Sequence, residues 1–221
     1  MIRILNDTHL GRKAGAHTTH KSSKELDQRI FRNAMAATIA DVPQTTVVHG
    51  GDLFDKFSNK EDVIMQGMAV AKNCDVIVGA NHDLSNRSDV ESSIAIVSEV
   101  LGNVCMAKVN ESKYEHFEGE CGTKFTLIPH HSSQDLFDTA MLEFLHCNFN
   151  SPFAHNDSSL NLTPEQAELL LERFDYIILA HEHNHRWEMG GRLLVTGNTH
   201  PTNFGDISDK FVWDYNPHTK E

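Results

Sequence analysis

The chain has 221 residues, with 19 Lys and Arg against 31 Asp and Glu, for a formal charge of −12. With 39% apolar and 23% charged residues it can bury a real core, which excludes a disordered chain. No apolar run approaches the roughly 20 residues of a membrane-spanning helix, and the acidic balance argues against indiscriminate electrostatic binding to nucleic acid.

Strand-like and helix-like segments alternate, which predicts an α/β architecture. Residues 2–6 enter an apolar strand directly, without a basic region, long apolar stretch and cleavage site, so an intracellular, cytoplasmic protein is expected. Residues 23–40 read as a helix: Ser22 and Glu25 have capping-box spacing, and Leu26, Ile30, Ala34 and Ala37 share a face. A strand at 45–49, a helix at 60–72 and a strand at 74–78 complete a βαβαβ opening. A helix at 89–101 follows, with Ser88 and Glu91 again at capping-box spacing, then strands at 103–108, 124–129 and 141–146. Residues 148–162 read as a polar loop. Thr163, Pro164 and Gln166 start a helix through Arg173, and strands at 175–180, 192–196 and 210–215 follow. With no repeat or linker, residues 1–221 are expected to form one domain. Cys74, Cys105, Cys121 and Cys147 form no CxxC pair and are expected to be reduced thiols.

Five predicted strands end in clusters rich in metal-binding side chains. In Asn6-Asp7-Thr8-His9, residues two apart point the same way, so Asp7 and His9 converge. In His49-Gly50-Gly51-Asp52, glycines let the backbone turn and present the carboxylate. Asn81-His82-Asp83 offers an amide oxygen, an imidazole and a carboxylate in succession. His146 ends the fourth strand, and His181 and His183 follow the apolar run Tyr176 to Leu179. Alone, the first two clusters read as ordinary turns, the Asn81-His82-Asp83 triplet less easily so, and a solvated loop is the competing reading of the His181-x-His183 pair. Together they occupy the C-terminal ends of parallel-type strands, where open α/β sheets place their sites. Mixed oxygen and nitrogen donors without thiolate suit Mn, Fe, Zn or similar ions with open positions, and seven donors exceed what one ion takes. A carboxylate such as Asp52 can bridge two ions, the paired arrangement used for in-line displacement at phosphorus.

In order and spacing, Asp7-x-His9, Gly51-Asp52, Asn81-His82-Asp83, His146 and His181-x-His183 resemble the calcineurin-like metallophosphoesterase superfamily over nearly the whole chain. Within it, residues 7–11, 49–55 and 197–205 are similar to the nuclease branch that contains SbcD and the meiotic-recombination-eleven DNA repair nuclease. The resemblance implies a four-layer αββα sandwich, two mixed sheets flanked by helices; the family's nucleases also carry a DNA-capping domain after this core, and here, as a departure, no separate capping domain is expected. It implies two divalent ions, Mn foremost, with Fe, Zn or Mg as alternatives. One ion would take Asp7, His9, Asp52 and His183; the other Asp52, Asn81, His146 and His181. His130 and His131 compete with His146 for that place, which the family sets at a strand end before the His-x-His pair. His82 would act as general acid or charge stabiliser, oriented by Asp83, while a metal-bound hydroxide attacks phosphorus.

The implied function is a DNA exonuclease or endonuclease of the SbcD type, acting on single-stranded or end-containing DNA with an SbcC-type ATPase partner or as a homodimer. The alternative is a phosphatase or small-nucleotide phosphodiesterase on the same scaffold, which the charge favours. A scaffold that has lost its chemistry is disfavoured, because every expected ligand and His82 are present. Arg12, Lys13, Lys21 and Lys24 form a local basic stretch beside the first cluster and are candidate DNA contacts. One departure stands out. Ala80 and Ala180 replace family glycines, which would cost on the order of 1 kcal/mol if those positions need a positive φ.

Overall fold

The computed structural model describes residues 1–13, 23–84, 91–107, 111, 113–120, 122–130, 144–152, 160–199, 201 and 209–219. The opening βαβαβ unit is present: β1 (Ile2–Leu5), α1 (Ser23–Ala37), β2 (Thr46–His49), α2 (Glu61–Ala71) and β3 (Val76–Val78). Then come α3 (Ser93–Leu101), β4 (Val104–Cys105), β5 (Glu115–Glu118), β6 (Lys124–Ile128), β7 (Phe144–His146), β8 (Asn148–Phe149) and β9 (Asn161–Leu162). The chain continues through α4 (Pro164–Leu171), β10 (Ile177–Ala180), β11 (Arg186–Glu188), β12 (Leu193–Val195) and β13 (Trp213–Tyr215).

These strands form two mixed sheets and a two-stranded ribbon. The first sheet has the order β13-β1-β2-β3-β4, the second β11-β12-β10-β7-β6-β5, and β8 pairs with β9. In the first sheet β1, β2, β3 and β4 are mutually parallel and β13 runs against β1. In the second, β6, β7, β10 and β12 are parallel, with antiparallel β5 and β11 at the edges. The parallel strands are mostly apolar, as in Val76–Val78, Ile177–Ala180 and Leu193–Val195, because both faces are covered.

Three apolar layers cover them. Leu26, Ile30 and Ala34 of α1, Val70 of α2 and Ile94 and Val97 of α3 pack on Leu5, Val47 and Ile77, the outer face of the first sheet. Between the sheets lie Ile2, Ile4, Val48, Val76, Val78 and Cys105 against Phe125 and Leu127. On the far side, Ala167 and Leu170 of α4 pack on Ile177, Leu179, Leu193 and Val195. This is the expected αββα layering. Among the described residues no helix is long and apolar enough to cross a membrane. Cys74, Cys105 and Cys147 are free and buried, while Cys121 lies outside the described residues.

Local signals held unevenly. Thr163 and Gln166 close a full capping box, with Gln166 N donating to Thr163 Oγ1 at 3.2 Å and Thr163 N donating to Gln166 Oε1 at 3.1 Å. The expected helix at 89–101 starts only at Ser93 with Ser92 as its cap, and Ser88 lies outside the described residues, as does Ser22. The loop expected at 148–162 contains the paired strands β8 and β9. Strands β5 and β11 were not anticipated. Both are polar edge strands, Glu-His-Phe-Glu and Arg-Trp-Glu, whose composition reads as a loop.

Candidate metal centre

Every cluster sits where a parallel strand ends. Asp7 and His9 follow β1, Asp52 follows β2, Asn81 to Asp83 follow β3, His146 closes β7, and His181 and His183 follow β10. The site therefore gathers loops from both sheets. Asp7, His9, Asp52 and His181 all hold positive φ, at 49°, 46°, 52° and 95°. Such backbone is costly for residues with a Cβ and persists where surrounding contacts enforce it, typically at functional sites. Ala80 and Ala180 are not among the positive-φ residues, so the penalty expected for alanine there does not arise.

Gly51 carries a different constraint. Its φ is 113°, and a Cβ there would lie 2.6 Å from Ala80 Cβ and 2.7 Å from His146 Nδ1. The close approach lets the Gly50 carbonyl accept a hydrogen bond from His146 Nδ1 at 2.9 Å. Nδ1 thus carries the proton, and Nε2 turns a lone pair inward. There it meets Asn81 Oδ1 at 3.1 Å and His181 Nδ1 at 3.2 Å, while His181 Nδ1 is 3.2 Å from Asn81 Oδ1. Donor atoms about 3 Å apart are what ligands of a single divalent ion at about 2.1 Å require. Asp52 Oδ2 lies 3.8 Å from His146 Nε2 on one side and 3.9 Å from His9 Nε2 on the other.

On that other side, Asp7, His9 and His183 bring donor atoms within 4.8 Å of one another, as do Asp52, His146 and His181. His9, Asp52 and His82 form a third such group. Asp7 Oδ2 accepts from Asn6 Nδ2, whereas Asp7 Oδ1 is buried with no hydrogen-bond partner among the described residues. Burial pushes the carboxyls of Asp7 and Asp52 up, and for Asp52 repulsion from Asp7 and Asp83 adds to it. Burial and the neighbouring His181 push the His146 imidazole well down. Crowded buried carboxylates, an unpartnered carboxylate oxygen and inward lone pairs suit cations, which would offset the first and occupy the others. The residues present therefore fit a pair of divalent ions.

The supporting residues differ from expectation in one respect. Among the described residues no hydrogen bond joins Asp83 to the His82 ring. The Asp83 carboxylate accepts from the backbone N–H groups of Phe54 at 2.8 Å, Leu53 at 3.2 Å and Ala80 at 3.3 Å, and burial pushes it up to about 7 against these and the Asp52 backbone N–H. It ties the Asp52 loop to the Asn81 loop. His82 is held instead by the Asp55 carbonyl, which accepts from Nδ1 at 2.9 Å, and its own N–H donates to Asp52 Oδ1 at 2.9 Å. The ring packs edge-on against His9, centroids 4.8 Å apart.

Two further residues carry structure the sequence did not single out. His49 Nδ1 accepts from Gly51 N at 3.2 Å, so its Nε2 donates to Thr8 Oγ1 at 3.1 Å, and Thr8 passes a bond to the Leu53 carbonyl at 3.1 Å. Glu182, between the two histidines, accepts from Phe149 N at 2.7 Å and from Arg186 Nη1 at 2.7 Å. Repeated polar residues inside short loops hint at such networks but do not specify partners. Thr199 and Gly197 brace the first loop through Asn6; His200 and residues 202–208 lie outside the described residues.

Of the basic candidates, Arg12 pairs with Asp55 at 2.8 Å, Lys13 and Lys24 are exposed, and Lys21 lies outside the described residues. Of the alternatives to His146, His130 is buried and hydrogen-bonds through its backbone to Gly79, and His131 lies outside the described residues.

No protein-family model and no curated protein matches this chain. Among solved structures, it is similar to the phosphopantetheinyl hydrolase PptH of Mycobacterium tuberculosis, with 12% identity, 89% of each chain covered and a TM-score of 0.48. It is also similar to a conserved uncharacterized protein, a predicted phosphoesterase, of Streptococcus pneumoniae, with 14% identity over 92% of this chain and 75% of that one and a TM-score of 0.38. A protein of unknown function from Aquifex aeolicus matches at 18% identity over 87% of this chain and 82% of that one, with a TM-score of 0.38.

Proposed function

We propose that the chain is a two-metal phosphodiester hydrolase. The observation that carries this reading is the placement of Asp52 Oδ2 between His9 Nε2 and His146 Nε2, at 3.9 and 3.8 Å, with a separate donor set beyond each. Asp7, His9, Asp52 and His183 would hold one ion, and Asp52, Asn81, His146 and His181 the other. When bound, paired divalent ions supply charge neutralisation at the phosphoryl oxygens and a nucleophile at neutral pH. The chain's own part is positional. His82, its Nδ1–H committed to the Asp55 carbonyl, presents Nε2 at the rim beside His9 as the proton donor or charge stabiliser for the departing oxygen.

Within this class, a DNA nuclease with manganese as its working ion is the finer reading, supported by the loop motifs at 7–11 and 49–55 and by the exposed Lys13 and Lys24. The −12 charge and the engagement of Arg12 by Asp55 favour a phosphatase or small-nucleotide phosphodiesterase. Rates on end-labelled single-stranded DNA, a bis-nitrophenyl diester and a nitrophenyl monoester, each with Mn, Mg, Zn, Fe or chelator, decide among them. Metal-dependent cleavage of DNA and the diester is the expected result. Exclusive monoester hydrolysis would establish the phosphatase, and no hydrolysis of any substrate with any ion would overturn the class.

A further inference from the structure

Both tryptophans of the chain lie in one partly exposed aromatic strip that starts at the rim of the proposed metal centre. β13 runs antiparallel to β1 and pairs Trp213 with Ile4, so Phe211, two residues before it, precedes β13 at the end of β1 that Asp7 follows. Phe211 packs edge-on against His185, centroids 5.0 Å apart, and His185 follows His183 by two residues. From there the strip runs outward. Trp213 is 5.6 Å from Phe211 and 5.8 Å from His185, and Trp187 of β11 stands perpendicular to Trp213 at 6.0 Å. Phe211 is 44% exposed and Trp187 50%.

The strip is also anchored to the centre. Lys210 Nζ donates to the His183 carbonyl at 2.9 Å, and Trp213 Nε1 donates to the Thr196 carbonyl at 2.9 Å. The first bond ties the segment before β13 to the loop that carries the histidines, and the second ties β13 to the end of β12. Phe211 and Trp187 are each partly exposed and held edge-on against a neighbouring ring, Phe211 on His185 and Trp187 on Trp213, which also packs on the core. Aromatic rings so placed offer π-faces at low entropic cost. Bases stack on such faces with little regard to sequence.

We propose that Phe211, Trp213 and Trp187 form a stacking platform for the bases of a single-stranded polynucleotide whose backbone enters the metal centre. This rests on the phosphodiesterase reading and narrows its substrate class to esters that carry nucleobases. It also reconciles the acidic charge with a polyanionic substrate, because stacking needs no net positive surface.

The test uses the metal-loaded full chain and its intrinsic tryptophan fluorescence, which reports on the strip without a label. The probes are a hydrolysis-resistant phosphorothioate oligothymidylate and an abasic oligomer of the same length. The thymidylate should quench tryptophan emission and the abasic oligomer should not. Trp187→Ala and Phe211→Ala, checked by circular dichroism, should each weaken thymidylate affinity by roughly 5- to 100-fold, the range of one lost base stack, and Trp187→Tyr should recover most of it. Equal binding of the two oligomers, or unchanged affinity in both alanine variants, overturns the platform. A change in self-association with unchanged oligonucleotide affinity assigns the strip to a protein contact and overturns it too. Hydrolysis of the bis-nitrophenyl diester by the wild type reads the metal centre separately, so failure there indicts the phosphodiesterase reading while the quenching result still decides the platform.

Discussion

The peptide N–H of His82 donates to Asp52 Oδ1 at 2.9 Å, which leaves Asp52 Oδ2 to face His9 and His146. One carboxylate is thereby oriented by the residue proposed to assist the leaving group. Asp52→Ala should lose at least one of two bound ions by elemental analysis and abolish turnover, since the remaining donor sets would lack their shared anion. Retention of two ions with full activity would sink the bridging role.

His82→Ala separates assistance from ligation. The variant should keep both ions while its turnover falls by roughly 10²–10⁴, the contribution of a positioned acid or base. Because His82 also stands with His9 and Asp52 in a group able to hold a cation, metal content is the deciding measurement. A lost ion would make His82 a ligand.

Gly51→Ala tests the tight approach at the second donor set. The added Cβ would press on Ala80 Cβ at 2.6 Å and His146 Nδ1 at 2.7 Å on a backbone with φ of 113°. A loss of roughly 2 kcal/mol or more in urea unfolding and weakened metal affinity are expected. Adding Ala80→Gly should recover only part of it, because the contact with His146 and the strained φ remain. Full recovery would show that the His146 contact is unimportant.

Buried His49 yields a pH prediction. Burial pushes its imidazole from 6.5 down to about 3. Between those values the unfolded chain binds the proton and the folded chain does not, so this contribution is complete above about pH 6.5 and is lost as the pH falls. In chelated protein, the unfolding free energy of wild type should fall more steeply than that of His49→Gln, by about 1.4 kcal/mol per pH unit between pH 6 and 4. Parallel curves would mean that His49 is not buried neutral.

The basic residues near the rim should divide into two behaviours. Arg12 holds Asp55, whose carbonyl holds His82, so Arg12→Ala should slow hydrolysis of the small diester as well as DNA. Lys13 and Lys24 are exposed, and each substitution to Ala should weaken single-stranded DNA binding and reduce its salt slope by about 0.7 while leaving hydrolysis of the small diester unchanged. An unchanged slope in the double variant would remove these lysines from the interface.

What the sequence makes legible here follows from which physics is local. The parallel strands are apolar on both faces, so Ile2 to Leu5, Thr46 to His49 and Ile177 to Ala180 announce themselves, and the donor residues follow directly at their ends. Edge strands such as Glu115–Glu118 and Arg186–Glu188 are half solvated and polar, so although each pairs with the strand that follows it, Lys124–Ile128 and Leu193–Val195, its own composition carries no apolar run to show it. Polar side chains are no more explicit. Asp83 sits beside His82 in sequence, but its carboxylate accepts from Leu53 and Phe54 on the Asp52 loop and from Ala80 of its own turn, so adjacency in sequence did not specify its partners.

The two sides of the centre are each stitched from distant parts of the chain: Asp7 and His9 stand with His183, and Asp52 stands with His146 and His181. A ribosome-bound chain would therefore have no complete cradle until the segment after β10 had emerged, however well the opening βαβαβ unit had already folded. Ion loading would come last in biogenesis and would act as a latch across the two sheets. Starving a cell of the metal should then enrich a protease-sensitive population whose first half is ordered and whose second half is nicked.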